Sequence, residues 1–411
     1  MATKFDKALI ERLVRYAKVD TQSDENSNTG PSTEIQKDLG ILLTKELTDL
    51  GLEAKMDEYG YVYGRLKGKL DVPAIGFVAH LDTAPGVLAE NVKPRVLENY
   101  SGGNIELEDN VVIPESDLSD FVGDTIITTD GKTLLGADDK AGISAIMTAV
   151  EELMKEWNGK HGDVYVMFNP DEEIGKGTQN FNPEKFPVKA AYTLDGVGAG
   201  EIESETFYAA KASVTFIGKP THPGQDGYQK LLNPITLASN FEAAIPATER
   251  PETTKDRFGF YYPYTVSGNP EKAQMDLLVR DFDKDGLDSK VAFLESLVKS
   301  MNSAHGEGSV LIDIEDQYPN MKAMLDKHPE VLQIATNALK EAGVTEPNYP
   351  PIRGGTDGAM LSVKFEIPTP NISTGMHNIH SVKEFASIKE MAIATNFVLN
   401  VVKAYAGRGD S

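Results

Sequence analysis

Three short apolar runs in the first half of the chain constrain its fold most strongly. Residues 74–79, 164–168 and 190–194 each read as a buried strand, and residues 142–157 carry apolar side chains at helical spacing. Strands that alternate with helices indicate a largely parallel sheet. The pattern therefore predicts an α/β fold whose main domain is a mostly parallel sheet with helices on both faces.

Each of these apolar runs is followed by residues that can bind a metal or transfer a proton. His80 and Asp82 follow the first run, Glu172 and Glu173 the second, and Asp195 the third. Ligand sites in parallel sheets lie beyond the carboxyl ends of the strands. Three apolar strands are unlikely to end in such residues by chance, so we predict that these side chains meet in one site.

The adjacent acids Asp138 and Asp139 stand between glycines, directly before the helical run. Two neighbouring carboxylates are electrostatically unfavourable unless a positive charge, such as a metal ion, neutralises one of them. Alternatively, Asp138 is a helix N-cap and Asp139 a first-turn acid at the positive end of the helix dipole. The pair alone does not decide between these interpretations, or which acid would bind a metal.

A metal site in this chain has to use histidine and acidic side chains, because the sequence contains no cysteine. The candidate ligands are His80, Asp138, Glu173, Asp195 and, from the C-terminal part, His380. Imidazoles and carboxylates suit Zn²⁺, and also Mn²⁺ or Co²⁺. Two divalent cations with one hydroxide balance three carboxylates, which favours two ions over one, with Asp138 as the natural bridge.

Two further acids receive predicted roles. Asp82 lies two residues after His80, on the same side of an extended segment, where it can orient the imidazole. Glu172 is adjacent to the ligand Glu173 and can take the proton of a metal-bound water, so it is the candidate general base. In the alternative interpretation, Asp82 forms a turn, the two glutamates lie in a solvated loop, and His380 is a surface histidine.

The pattern changes after residue 206, where strands and helices follow in the order βαββαβ. This order is typical of a ferredoxin-like α+β unit, which is small enough to be an inserted domain. We therefore predict a first part of the main domain at residues 1–206, the inserted domain at 207–318 and a second part of the main domain at 319–411.

The charge balance argues against two classes of partner. The 411 residues include 63 Asp and Glu against 40 Lys and Arg, giving a formal charge of −23. Such a chain is repelled by phosphate backbones and by anionic membrane surfaces, so we expect neither nucleic acid nor membrane as a partner. The charged N-terminal helix does not read as a signal peptide, and we expect a cytoplasmic location.

Several motifs occur in a fixed order along nearly the whole chain. They are His80-Leu81-Asp82-Thr83, Gly136-Ala137-Asp138-Asp139-Lys140-Ala141-Gly142, Pro170-Asp171-Glu172-Glu173-Ile174-Gly175, Thr193-Leu194-Asp195-Gly196, His222-Pro223-Gly224 and Ile352-Arg353-Gly354-Gly355-Thr356-Asp357-Gly358. Together they resemble the dizinc metallopeptidases of family M20 and, within it, the tripeptide aminopeptidases.

The resemblance implies two Zn²⁺ per subunit, with Co²⁺ or Mn²⁺ as possible substitutes. It implies that His80 and Asp195 hold one ion, that Glu173 and His380 hold the other, and that Asp138 bridges them. Asp139 would then support the loop or cap the helix.

The same resemblance assigns the remaining roles. Glu172 becomes the catalytic base and Asp82 the acid that orients His80. His380 is preferred over the neighbouring His377 because Glu384 and Phe385 follow it at the expected interval.

The inserted domain is implied to be a lid that also forms a homodimer. His222 on this lid resembles the residue that reaches a substrate oxygen. Arg280 and Arg353 have the guanidinium geometry that suits a peptide carboxylate. A salt bridge at a strand end and a loop anchor are the alternative roles of these two arginines.

The implied reaction is release of the N-terminal residue from a tripeptide, by attack of a zinc-bridging water with Glu172 as general base. Another M20 reaction, on dipeptides or N-acyl amino acids, would use the same metals and base. A catalytically silent metal-binding scaffold is a second alternative, and an adhesion motif at Arg408-Gly409-Asp410 is a third.

Overall fold

The computed structural model describes residues 3–224 and 228–407, so the Arg408-Gly409-Asp410 motif lies outside the described residues. The helices of this part are α1 (Asp6–Ala17), α2 (Gln36–Asp49), α3 (Glu115–Leu118), α4 (Ala137–Glu152), α5 (Pro234–Ala244), α6 (Lys284–His305), α7 (Lys322–Leu325), α8 (Pro329–Glu341), α9 (Asp357–Lys364) and α10 (Ile388–Ala406). Its strands are β1 (Glu53–Met56), β2 (Val62–Leu66), β3 (Ile75–His80), β4 (Arg95–Leu97), β5 (Ile105–Glu106), β6 (Val112–Ile113), β7 (Ile126–Thr128), β8 (Val164–Asn169), β9 (Ala190–Val197), β10 (Ile202–Glu203), β11 (Tyr208–Ile217), β12 (Phe260–Gly268), β13 (Lys272–Asp281), β14 (Val310–Tyr318), β15 (Asn371–His377) and β16 (Phe385–Ser387).

The chain divides into two compact units. The first comprises Met1–Ser204, Ala323–Pro350 and Thr356–Ser411, and the second comprises Glu205–Lys322 and Pro351–Gly355. Within residues 3–224 and 228–407, none of the helices has the length and apolar character that a membrane crossing needs.

The first unit is built on one large mixed sheet. The strand order is β1-β2-β8-β3-β9-β15-β16-β7-β4, and β10 pairs with β15 beside this path. The four central strands β8, β3, β9 and β15 are parallel, whereas the strands that flank them pair antiparallel. The α/β fold class with a parallel sheet at its centre is confirmed.

Both faces of the sheet centre are covered, as a parallel sheet requires. Every residue of β3 is buried. On one face, Val78 belongs to a cluster with Phe186 and with Leu361 of α9. On the other face, Phe77 stacks on Tyr192, which in turn contacts Phe397 of α10. Alternate side chains of one strand thus enter two different layers of helix and loop.

The strand ends predicted to carry the site lie at one edge of the sheet. His80 at the end of β3 pairs in register with Asn169 at the end of β8. In β9, Leu194 pairs with Ile372 of β15, which places Asp195 at the same edge. The carboxyl ends of the central strands therefore converge there, as ligand sites of α/β sheets require.

The second unit contains a four-stranded antiparallel sheet with the order β12-β13-β11-β14. Helix α5 follows β11 and α6 follows β13, so the elements run βαββαβ, the order of a ferredoxin-like unit. One apolar cluster joins the sheet to both helices, through residues such as Phe216 of β11, Phe241 of α5 and Leu294 of α6.

Candidate metal centre

Asp138 lies between two histidines that are far apart in sequence. Its Oδ1 is 2.9 Å from Nε2 of His80, and its Oδ2 is 3.0 Å from Nε2 of His380. Asp138 is 7% exposed, so little water competes for its two oxygens. The structure thus brings a ligand atom of each histidine to a different oxygen of one carboxylate, the arrangement that a bridging ligand needs.

Each histidine also contacts a second predicted ligand. Nε2 of His80 lies 3.5 Å from Oδ1 of Asp195, and Nε2 of His380 lies 2.9 Å from Oε2 of Glu173. The structure therefore brings together all five predicted ligand side chains, in two groups that share Asp138. The fallback ligand His377 contacts Glu390 at 2.6 Å instead.

Asp82 contacts the other ring nitrogen of His80. Its Oδ1 lies 3.3 Å from Nδ1, and its backbone carbonyl lies 3.1 Å from the same nitrogen. The two oxygens of Asp82 also accept the backbone N–H groups of Glu172 and Glu173, at 3.0 and 3.2 Å. Asp82 thus holds both the histidine ring and the turn that carries the two glutamates, whereas the sequence predicted only the first contact.

Asp139 has a different role from its neighbour. One oxygen accepts the backbone N–H of His80 at 3.2 Å, and the other accepts that of Gly142 at 3.1 Å. The bond to a backbone N–H three residues later is a helix-capping interaction. The capping interpretation therefore applies to Asp139, while Asp138 points toward the histidines.

Asp171 anchors the glutamate turn from the preceding position. It has a left-handed backbone with φ 62°, and its carboxylate accepts hydrogen bonds from Ser32 and Gln36, including Ser32 N–H at 2.7 Å and Gln36 Nε2 at 2.7 Å. The side chain of Gln36 in turn accepts the N–H of Asp171 at 3.1 Å. The start of α2 thus fixes the residue that precedes Glu172.

Two further anchors were missed by the sequence analysis. Glu384, used there only as a spacing marker, accepts backbone N–H groups of the Asp138 turn. The side chain of Asn371 accepts the N–H of Asp195 at 3.2 Å and donates to Glu203 at 2.6 Å. The bonds that anchor the Asp138 turn and Asp195 join a side chain to the backbone, and the sequence carried no signal for them beyond the position of Glu384.

The carboxylates of the cluster raise the pKa of both histidines, as expected of a site that favours cations. Burial would lower the pKa of His80, but the carboxylates of Asp195, Asp138 and Asp82 outweigh burial and raise it well above its usual value. Hydrogen bonds to Asp138 and Glu173 raise the pKa of His380 to about 10.

The buried acids divide into two kinds. Burial would raise the pKa of Asp138, but its bonds to His380 and His80 lower that pKa below its usual range. Burial raises the pKa of Asp195 to about 8, and burial with the nearby Asp195 charge raises the pKa of Glu172 well above its usual value. A raised pKa makes the carboxylate of Glu172 a stronger proton acceptor, which is the property that a general base needs.

The donor set fits divalent metal ions. Ligand atoms of His80, Asp138 and Glu173 lie within 4.8 Å of one another, as do those of His80, Asp139 and Asp195. Imidazole nitrogen with carboxylate oxygen suits Zn²⁺, Mn²⁺ and Co²⁺. Since both oxygens of Asp139 already accept backbone N–H groups, Asp138 is the better ligand of the adjacent pair.

The predicted substrate-binding residues lie in the second unit. His222 is exposed and accepts the N–H of Gly224 at 3.2 Å. Arg280 is buried, donates to the carbonyl oxygens of Ala210 and Val279, and lies over the ring of Tyr318.

Arg353 belongs to the same unit. Its guanidinium donates to the carbonyl oxygens of Asp256 and Phe258 and to Oγ1 of Thr254, at 2.9 to 3.0 Å. These contacts suit the loop-anchor alternative, and substrate binding by Arg353 stays a prediction.

A parallel-centred α/β sheet with clustered histidine and acidic side chains at its carboxyl edge is an arrangement that suits a metallohydrolase. Residues 114–404 match the sequence profile of peptidase family M20/M25/M40. The chain is 44% identical over 406 residues to peptidase T of Clostridium perfringens strain 13, covering 97% of this chain and 99% of that protein. It is 43% identical over 409 residues to peptidase T of Caldanaerobacter subterraneus subsp. tengcongensis, covering 98% of this chain and 99% of that protein.

Solved structures agree on the fold. The aminopeptidase PepT from Bacillus cereus ATCC 10987 aligns with a TM-score of 0.77 at 24% identity, covering 98% of this chain and 99% of that chain. A dinuclear metal binding M20 peptidase from Bacillus subtilis aligns with a TM-score of 0.69 at 14% identity, covering 98% of each chain. The chain belongs to peptidase family M20, and the family resemblance of its motifs is confirmed. With its peptidase T relatives, it is classed as a metallo-aminopeptidase.

Proposed function

We propose that this protein is a zinc-dependent aminopeptidase that releases the N-terminal residue of tripeptides. The observation that carries the proposal is the position of Asp138, with one oxygen toward His80 and the other toward His380. Its support is the sequence similarity to peptidase T over nearly the whole chain, together with a donor set that suits divalent ions.

In this proposal the site holds two Zn²⁺, for which Co²⁺ or Mn²⁺ can substitute. His80 and Asp195 would hold one ion, Glu173 and His380 the other, and Asp138 both. The ions would polarise the scissile carbonyl and lower the pKa of the attacking water.

The residues of the chain would perform the proton transfers. Glu172 takes a proton from the attacking water as the new carbon–oxygen bond forms. It then delivers that proton to the amine nitrogen as the carbon–nitrogen bond breaks. Asp82 keeps Glu172 in place through the backbone N–H and keeps the ring of His80 oriented.

The second unit would act as a lid and as the surface of a homodimer. His222 would donate to a substrate oxygen, and Arg280 and Arg353 would bind the C-terminal carboxylate of the peptide. The substrate would be a small peptide, and neither nucleic acid nor membrane is proposed as a partner. The cytoplasmic location stays a prediction.

Replacement of the base tests the mechanism. Glu172→Gln should lower kcat by roughly 10²- to 10⁴-fold, since general-base catalysis contributes on this scale. The zinc content of the purified variant should equal that of the unaltered protein, because Glu172 is not a proposed ligand. Unchanged turnover in Glu172→Gln would rule out the assigned base, and lost zinc would move Glu172 into the ligand set.

A substrate panel tests the specificity. Tripeptides with a free amine should be cleaved faster than matched dipeptides, N-acetylated tripeptides and N-acyl amino acids. Faster cleavage of dipeptides or acylated substrates would assign a different M20 reaction to the same site. A protein that binds zinc tightly but cleaves none of the panel would point to the silent scaffold.

A further inference from the structure

Glu384 joins two segments that carry proposed metal ligands. It lies four residues after His380, directly before β16, and is 1% exposed. Its Oε2 accepts the backbone N–H groups of Leu135 and Gly136 at 2.6 and 2.9 Å, and its Oε1 accepts that of Asp138 at 3.1 Å. One buried carboxylate therefore receives three N–H groups from the turn that presents Asp138.

The backbone of Glu384 also contacts two segments, the end of β7 and the loop that follows His380. Its carbonyl oxygen accepts the hydroxyl of Thr128 at 2.8 Å, at the end of β7. Its N–H donates to the carbonyl oxygen of Ser381 at 3.2 Å, in the loop that follows His380. Glu384 thus holds both ends of residues 128–138 against the segment that carries His380.

The local backbone explains why an acceptor is needed at this position. Asp138 has φ −80° and ψ 103°, which is not helical, although it lies in the first turn of α4. The N–H groups at a helix start have no carbonyl partner within the helix and need another acceptor when buried. The two oxygens of one carboxyl group can accept three such bonds at once.

We propose that Glu384 is a positioning residue that couples the placement of Asp138 to that of His380 and thereby sets how tightly the metal ions are held. This inference rests on the proposed function, which makes both residues ligands of one ion. Through Glu384, a shift of the C-terminal segment is transmitted to the bridging carboxylate.

Three variants separate this role from a purely structural one. Glu384→Gln keeps the volume but replaces one accepting oxygen with an NH₂ group that faces a backbone donor. Thr128→Val removes the hydroxyl bond to the Glu384 carbonyl and leaves the carboxylate intact. Asp124→Asn is the matched control, since Asp124 accepts Thr125 N–H at 2.7 Å and Lys389 N–H at 3.2 Å on either side of the same β7–β16 pair, away from the ligands.

The measurements are Zn²⁺ affinity by competition with a chromophoric chelator, the visible absorption of the Co²⁺-substituted protein, and the melting temperature of each metal-free form. Glu384→Gln should weaken Zn²⁺ binding by about 10- to 100-fold, as is typical when a group that supports a ligand is changed. Its Co²⁺ absorption bands should shift, because the coordination geometry changes. Thr128→Val should change the Zn²⁺ affinity and the Co²⁺ bands in the same direction as Glu384→Gln, but by a smaller amount. Asp124→Asn should bind Zn²⁺ and Co²⁺ like the unaltered protein.

The outcomes are distinct. If Glu384→Gln and Asp124→Asn have the same Zn²⁺ affinity and Co²⁺ spectrum as the unaltered protein, the inference is wrong whatever happens to the melting temperatures. If Glu384→Gln does not fold, Thr128→Val decides, and unaltered metal binding there overturns the inference. If His380→Ala leaves Zn²⁺ binding of the otherwise unaltered protein intact, the ligand assignment of the proposed function fails first.

Discussion

The carboxylate of Asp82 accepts the backbone N–H of Glu172 at 3.0 Å. The same side chain contacts Nδ1 of His80, so one acid supports a proposed ligand and the proposed base. Asp82→Asn keeps the size of the side chain but replaces one accepting oxygen with a donor.

We expect Asp82→Asn to lower kcat by roughly 10- to 100-fold, because the side chain that supports both the histidine and the glutamate turn loses its charge and one of its two accepting oxygens. Steady-state kinetics with a tripeptide, together with metal analysis, would check this. If the variant binds less metal but keeps the same kcat per bound metal ion, Asp82 supports only His80 and not the glutamate turn.

The two adjacent acids should respond differently to the same exchange. Asp138→Asn should reduce the amount of bound metal, since Asp138 faces both His80 and His380. Asp139→Asn should leave the metal content unchanged but lower the free energy of unfolding by about 1–3 kcal/mol, because one oxygen then remains for the two buried backbone N–H groups of His80 and Gly142. Metal analysis and urea unfolding of both variants measure the contrast, and the reverse result would exchange the two assignments.

Metal binding should release protons. The pKa of His380 is raised to about 10 in the metal-free protein, so its imidazole is protonated at pH 8, whereas a metal ligand has to be neutral. Affinity for Zn²⁺ should therefore rise as the pH rises toward 10. Titration calorimetry at pH 8 in two buffers of different ionisation enthalpy counts the protons, and equal heats in both buffers would contradict the prediction.

The free energy of unfolding should depend on pH through the titration of Glu203. Burial raises the pKa of Glu203 from 4.5 to about 7, so the folded state binds more protons than the unfolded state between these pH values. The stabilising contribution of this group is present below pH 4.5 and is lost as the pH rises through 7.

Glu203→Gln removes this titration and keeps an acceptor for Asn371. The unfolding free energy of the variant should rise relative to the unaltered protein by up to about 3 kcal/mol between pH 4.5 and 8. Urea unfolding at both pH values measures the difference, and parallel pH profiles would refute the role of Glu203.

Gly142 should not tolerate a side chain. A Cβ at this position would overlap the carbonyl oxygen of Leu194 and the carboxylate of Asp139. Gly142→Ala should therefore cost about 1–3 kcal/mol of stability, the range for overpacking. Gly354→Ala is a suitable control, because its Cβ would meet its nearest neighbour, Ile352, at 4.0 Å. Equal urea midpoints for the two variants would contradict the prediction.

The sequence predicted the parts of the fold and site that local chemistry determines. The apolar run of β3 and the histidine at its end could be identified because buried parallel strands and ligand residues have recognisable patterns. Asp138 and Asp139 were separated only by the family resemblance, because the same side chain occurs twice and the backbone dihedral angles direct one of the two toward the histidines. Residues 89–129 are rich in turn residues and acids and read as irregular in the sequence, yet they contain β4 to β7.

The supporting contacts of the site were beyond sequence reasoning for a different reason. Glu384 and Asn371 bind backbone N–H groups of residues far away in the chain, and any sequence offers such donors at nearly every position. Two roles were predicted for Arg280, binding of a substrate carboxylate and a salt bridge at a strand end. Its observed bonds to the carbonyl oxygens of Ala210 and Val279 depend on the pairing of β11 with β13.

Asp138 and His380 are separated by 242 positions in the chain, although their side chains touch. During synthesis Asp138 emerges long before His380, and the whole second unit is made in between. A chain that ends before residue 380 lacks both this histidine and α10, whose Phe397 packs against Tyr192 of the central sheet. In the proposed ligand assignment, full occupancy of the metal centre would therefore report that synthesis has passed residue 380 and that the C-terminal segment has docked.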